Sequence, residues 1–233
     1  MCRWWLFYDA TLAAHAEGMT LSPTPRSTLT RKRDRAATDR QALYDLLDEA
    51  LICHLGLVLN GSPVVLPTGY GRDGETLYLH GSTGAGNLRA AATGIDVCVT
   101  VTLLDGIVYA RSLNNHSMNY RSAVVHGRAK LVDDPEEKMR ALEVVTEHLA
   151  PGSWEHARAV NAKEFASVAV LSLDLAEASV KARAGGPGEE PEDLSADEIW
   201  AGVVPVQTTF GAPVPADYTR VPVPEHVNRG RDR

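Results

Sequence analysis

The sequence predicts a mainly β protein with a few helices, its strands closing into an antiparallel barrel. Three observations carry that prediction. One amphipathic helical stretch near residue 40 is followed by a switch to strand-like alternation. Six or seven closely spaced apolar runs then fill the chain between Ile52 and Arg183. Two of those runs flank Asn60-Gly61, the strongest short hairpin signal a sequence offers.

The elements follow in order. Met1 to Tyr8 is rich in aromatic residues, but its apolar stretch is shorter than the roughly 7–15 residues of a signal-peptide core. Residues 1–18 read as a poorly ordered extension or a short aromatic contact segment, with Met19 as a natural second start. Residues 20–36 form a solvated arm carrying Arg26, Arg31, Lys32, Arg33 and Arg35. A helix is expected from Asp39 to Ala50, with Thr38 and Gln41 as a capping box and Leu43, Leu46, Leu47 and Leu51 as its stripe.

Strands are expected over 52–59, 63–68 and 76–80, with a short helix over 82–93. Alternating Val, Thr and Leu predict a strand at 97–104, and Asp105-Gly106 reads as a turn into another at 107–112. A further strand covers 122–132. Asp134-Pro135-Glu136-Glu137 is a well-formed helix start, combining a cap, an early proline and acids at the positive dipole end. That helix stops at Pro151-Gly152, and strands at 165–173 and 177–183 complete the sheet. Residues 185–198 are acidic and rich in Gly and Pro, so they read as a mobile linker. The tail at 199–227 is too proline-rich for a central strand. The division expected is an extension and basic arm at 1–36, a barrel domain at 37–183, and an acidic linker with a proline-rich tail at 184–233.

Composition narrows function. The 233 residues carry a net charge of −7, which argues against nucleic acid as the main partner because backbone binding needs excess Lys and Arg. Three cysteines, Cys2, Cys53 and Cys98, lack CxxC spacing, which fits a reducing cytoplasm better than a disulfide framework or a zinc site. No apolar run approaches the roughly 20 residues of a membrane helix, so no membrane partner is expected. A GxGxxG match at Gly69, Gly71 and Gly74 leads into a strand instead of opening a helix, which removes the dinucleotide-fold context. No P-loop, HExxH, Gly-x-Ser-x-Gly or kinase signature is present, and His54, His116, His126 and His148 show no metal-ligand spacing.

The positive signal is the stretch from Ser62 to Leu88: strands joined by turns, then a loop of small hydroxylated and glycine residues opening a helix. Such a loop offers backbone N–H groups to an anionic phosphate, which points to a nucleotide or cofactor.

Four ordered segments resemble the FMN-binding split-barrel family that includes pyridoxamine 5′-phosphate oxidase, nearest its flavin-nucleotide-binding or nitroimidazole-resistance branch. They are Thr24 to Arg26 with the following helix, Val65 to Thr68, Leu77 to Ser82, and Met118 to Ala129. The resemblance implies a homodimer with FMN at the subunit interface and a small flat substrate beside it. It implies that Val65, Leu66, Pro67 and Thr68 line the ring, and that His80, Gly81 and Ser82 turn past the phosphoribityl group. Ser82 with the Thr83 and Gly84 amides would hold the phosphate.

Relatives carry Lys or Arg in this loop, whereas here Gly86-Asn87 stands, so Arg121 or Arg89 would supply the charge. Tyr120 and Ser122 would contact the flavin, and Lys181 and Arg183 would approach from the partner or simply form a basic outer strand. The implied activity is flavin-dependent oxidoreduction, with the flavin as the redox group and the protein orienting it. A non-catalytic FMN carrier or sensor, and a barrel binding haem or deazaflavin F420, are the alternatives. Residues 184–233 do not resemble the segment that closes the vitamin B6 oxidases.

Overall fold

The computed structural model describes residues 20–21 and 24–229, and the extension expected over 1–18 lies outside them. The first helix, α1 (Arg40–Glu49), starts one residue later than expected because Asp39, not Thr38, is its cap. Asp39 holds an extended backbone, and its carboxylate accepts from the Gln41 amide at 2.9 Å. Leu43, Leu46 and Leu47 lie on the buried side of α1 and plug the barrel interior.

Ten strands form one sheet: β1 (Ala36–Ala37), β2 (Ile52–Leu59), β3 (Ser62–Asp73), β4 (Thr76–Ser82), β5 (Asp96–Tyr109), β6 (Ser117–Arg128), β7 (Lys130–Leu131), β8 (Val168–Asp174), β9 (Ala178–Arg183) and β10 (Gly202–Pro205). Their order is β1-β9-β6-β5-β2-β3-β4-β8-β7, with β10 added along β5. Among the described residues four helices accompany α1: α2 (Gly86–Ala92), α3 (Pro135–Leu149), α4 (Ser153–His156) and α5 (Ala162–Ser167). The sheet curls until β6 meets the β8–β9 turn, where the His126 amide donates to the Glu177 carbonyl at 2.9 Å. The approach is close: a Cβ on Gly127 would lie 2.7 Å from Leu173 Cδ1.

The β2–β3 hairpin turns at Asn60-Gly61, with φ of 49° and 79°, as that dipeptide demands. Asp105-Gly106 does not turn the chain. It makes a register shift inside the continuous strand β5, because β6 pairs with β5 on both sides of it. Residues 162–167, expected partly as strand, are helical because Asn161 and Glu164 close a capping box in front of β8. The segment expected as a mobile linker is held to the barrel. Arg111 donates to the Asp193 carbonyl at 3.0 Å, its backbone amide donates to Glu189 at 2.9 Å, and Pro191–Ser195 forms a 3-10 turn.

The interior is filled by Leu55, Leu57, Tyr70, Leu77, Leu79, Val97, Val99, Val125, Leu171 and Leu173 around α1. Tyr70 closes the seam, its hydroxyl donating to the Ala50 carbonyl at 2.7 Å, and burial pushes its pKa upward. A second, smaller core lies outside the barrel, where Ala141 and Val145 of α3 pack on Tyr78 and Val170. Among the described residues no helix is long and apolar enough to cross a membrane.

Candidate functional site

Strand alternation decides what each expected site residue faces. On β3 the even positions point inward toward buried Tyr70, so Leu66 and Thr68 are half-buried while Val65 (65% exposed) and Pro67 face outward. The Thr68 hydroxyl donates to the Gly69 carbonyl at 3.2 Å. The outward row continues to Gly69, whose Cβ position has nothing within 4 Å. Two residues on, a Cβ at Gly71 would meet the Val144 carbonyl oxygen of α3 at 2.8 Å. Helix α3 therefore stops between Gly71 and Gly69, and the outer face beyond it is open.

His80 stands at that boundary. It shares the outward face of β4 with Tyr78 and pairs in register with Val170 of β8. Its Nδ1 is buried without a hydrogen-bond partner, and burial lowers its pKa, so the ring is held neutral. A buried polar atom without a partner is costly and calls for an explanation. Gly81 next to it lets Leu88 pack close, since a Cβ would lie 2.4 Å from Leu88 Cδ1 and push that side chain aside.

The loop after β4 is less available to a phosphate than its composition implies. The Thr83 amide donates to the Ser167 carbonyl at 3.0 Å and the Gly84 amide to Ser82 Oγ at 3.1 Å. Those two N–H groups, expected on a phosphate, already have acceptors within the protein. The Asn87 side chain lies outside what the structure describes. Arg89, exposed on α2, borders a cavity of about 380 Å³ together with Thr83, Phe165 and Lys138. Lys138 Nζ donates to the Phe165 carbonyl at 2.8 Å and lies 4.3 Å above that ring.

Arg121 is not brought to this face. It points the same way as buried Ala123 and sits at the barrel mouth, where its guanidinium donates to Asp105 at 2.8 and 3.0 Å and to Glu49 at 2.9 Å. Two carboxylates already offset its charge and raise its pKa. Tyr120 and Ser122 face the opposite way, outward, and Ser122 is in register with Lys181 of β9. The Ser122 hydroxyl donates to the Lys181 carbonyl at 3.3 Å.

The outward row also holds residues that sequence reading passed over as functional. His54 of β2 is exposed between Pro67 of β3 and Thr100 of β5. Ile52, Val58 and Val65 around it are 54%, 59% and 65% exposed. Polar–apolar alternation in β2 was the available signal, since an antiparallel strand with one wet face should not show Ile and Val outward. Buried Cys53, its thiol pushed up to about 12 by burial, is inert by comparison. Among the described residues no group of three or more His, Cys, Asp or Glu gathers for a metal ion.

The family model for pyridoxamine 5′-phosphate oxidase matches residues 39–182, more than half of the chain. The chain belongs to the pyridoxamine 5′-phosphate oxidase family. Within it, the fold is the split barrel of flavin-binding proteins. A flavocytochrome, Anf3 from Azotobacter vinelandii, is 38% identical with a TM-score of 0.85, covering 91% of this chain and 99% of its own. An FAD and haem binding protein from Mycobacterium smegmatis is 39% identical with a TM-score of 0.79, covering 83% of this chain and 95% of its own. A candidate 5-nitroimidazole antibiotic resistance protein from Bacteroides thetaiotaomicron is 26% identical with a TM-score of 0.55, covering 63% of this chain and 85% of its own. No curated relative matches the chain. Family membership agrees with the sequence resemblance, which rested on the same strands.

Proposed function

We propose that the protein is a redox protein that binds a flavin along the outward row of β3 and a haem next to it. The observation carrying the flavin is His80: a neutral, half-buried ring whose Nδ1 is buried without a partner, standing where α3 ends and the strand face opens at Gly69. A flat ring laid on Val65, Pro67 and Gly69 would give Nδ1 its missing partner. FMN is the form expected from sequence. The likeness at 39% identity to a protein named for binding FAD and haem, together with the flavocytochrome at 38%, makes FAD the form to test beside it.

A haem fits a different residue. His54 carries an exposed imidazole on the outward face of β2, between exposed Ile52 and Val58. A porphyrin needs that combination of an axial nitrogen and an apolar wall. When bound, the flavin would exchange electron pairs and the haem single electrons, which makes oxidoreductase chemistry the natural outcome. The protein's own part is to orient the rings, keep both imidazoles available and exclude water.

Exclusion of water needs a cover, and the reading assigns that role to a second copy of this chain. Ile52, Val58, Val65, Leu104 and Met118 all lie outward on the bare face, and each is at least 40% exposed. A patch of that kind on a sheet marks an interaction surface. A small, flat substrate would enter at the same seam. The test is the visible spectrum of the purified full chain. Flavin bands and a Soret band are expected; His54→Ala should lose the Soret band and keep the flavin, while His80→Ala should lower flavin occupancy. A colourless protein that takes up neither added flavin nor haemin overturns the proposal.

A further inference from the structure

At one end of the bare face, where the arm at 31–35 runs beside β9, a cavity of about 650 Å³ opens between Arg31, Lys32, Arg35, Lys181, Arg183 and His116. We propose that this basin is a binding site for a nucleoside polyphosphate, its phosphates held by the five cations and its base stacked on Tyr109 and Trp200. The inference does not rest on the flavin or haem assignment.

Charge carries the first half of the argument. The chain as a whole is acidic, at −7, yet five cations share one cavity with Glu190 as the acidic residue in its lining. None of the five forms an ion pair among the described residues. Their recorded contacts are neutral. Arg183 donates to the Gly186 carbonyl at 2.8 Å and to Asn119, and Lys181 Nζ donates to the Arg31 carbonyl at 3.2 Å. The cavity thus gathers five like charges around one space, a repulsive arrangement that an anion of several charges would relieve. Carboxylate ligands bring a single charge per group, whereas a diphosphate brings three and accepts bidentate guanidinium bonds.

The second half is shape. The volume falls within the roughly 300–1,000 Å³ of small-molecule sites. His116 lines the basin and also packs edge-on against Tyr109, with ring centroids 5.7 Å apart. Trp200 lies 5.8 Å from Tyr109 and is 64% exposed. Cations and an exposed aromatic pair are thus contiguous, which is the pairing a nucleotide requires: charge for phosphate and a π-face for the base.

Isothermal titration of the full chain with ADP, AMP and pyrophosphate tests this. ADP should bind more tightly than AMP by about tenfold or more, with affinity falling as salt rises. Arg31→Glu, at an exposed position that leaves folding intact, should weaken ADP about tenfold without changing the melting temperature. Trp200→Ala should weaken ADP severalfold and leave pyrophosphate unchanged. Equal binding of ADP and pyrophosphate, unaffected by Trp200→Ala, overturns the nucleoside assignment, and no binding of either overturns the site. The same titration on protein saturated with FMN or with FAD separates it from the flavin. If FAD abolishes ADP binding and FMN does not, the basin is the adenylate half of the flavin site, and the proposal of a separate ligand fails.

Discussion

Two glycines on one strand divide this molecule. Gly71 and Gly69 lie on the same outward face of β3, yet a methyl group on the first would strike the α3 backbone and a methyl group on the second would meet empty space. The half of the outer surface under α3 is a finished core, closed by Tyr78, Val170 and Val145. The half beyond it, across β2, β5, β6 and β9, exposes Ile52, Val58 and Val65 without a cover among the described residues. The same sheet is packed like an interior on one side of this line and like an interface on the other. The covered half serves stability, and the bare half carries the proposed function.

The sharpest way to break that contrast is to add a methyl group on each side of the line. Gly71→Ala should destabilise the fold by about 1–3 kcal/mol through overpacking against α3. Gly69→Ala should leave the denaturant midpoint nearly unchanged while lowering flavin uptake. Equal midpoints for the two variants would erase the distinction. A smaller effect on stability, but a decisive one on assembly, is expected from Ile52→Glu combined with Val65→Glu. These exposed sites should each move monomer stability by no more than about 0.5 kcal/mol. Light scattering should then show a dimer becoming a monomer, and a wild type that is already monomeric removes the second copy from the account.

The smallest effect belongs to His80, which sits on the line itself. Burial lowers its folded pKa below the ordinary imidazole value, so its contribution to stability is intact above that value. As pH falls through the ordinary value, the unfolded chain takes up a proton that the folded chain resists, and stability declines until the folded pKa is passed. His80→Gln should flatten this part of the urea midpoint profile between neutral and mildly acidic pH. An unchanged profile means that His80 is not the group responsible.

How much of this could be read beforehand depended on the range of the interaction. Helix α3 was legible because its start is local: the Asp134 carboxylate accepts from the Glu137 amide at 2.8 Å, three residues away. The Asn60-Gly61 hairpin was legible for the same reason. The continuity of β5 was not, since Asp-Gly reads locally as a turn and only its pairing with β6 makes it a bulge. His80, the β3 row and Ser122 were identified as a group, but sequence alone did not separate inward from outward positions among Val65 to Thr68. Arg121 was expected at a phosphate because Glu49, its partner 72 residues away, cannot be inferred from spacing. The cationic basin was hidden for the same reason, because Arg31 and Lys181 lie 150 residues apart and meet only when β1 pairs with β9.

One further consequence concerns β10. It lies along the far half of β5, with Val203 opposite Val108 and Pro205 opposite Gly106. Proline has no N–H to donate, so the free side of β10 is a poor template for another strand. The edge that β10 adds to β5 therefore ends on a residue that cannot propagate it. If two copies pair through the bare face as proposed, such a terminator would keep the assembly from extending along this edge.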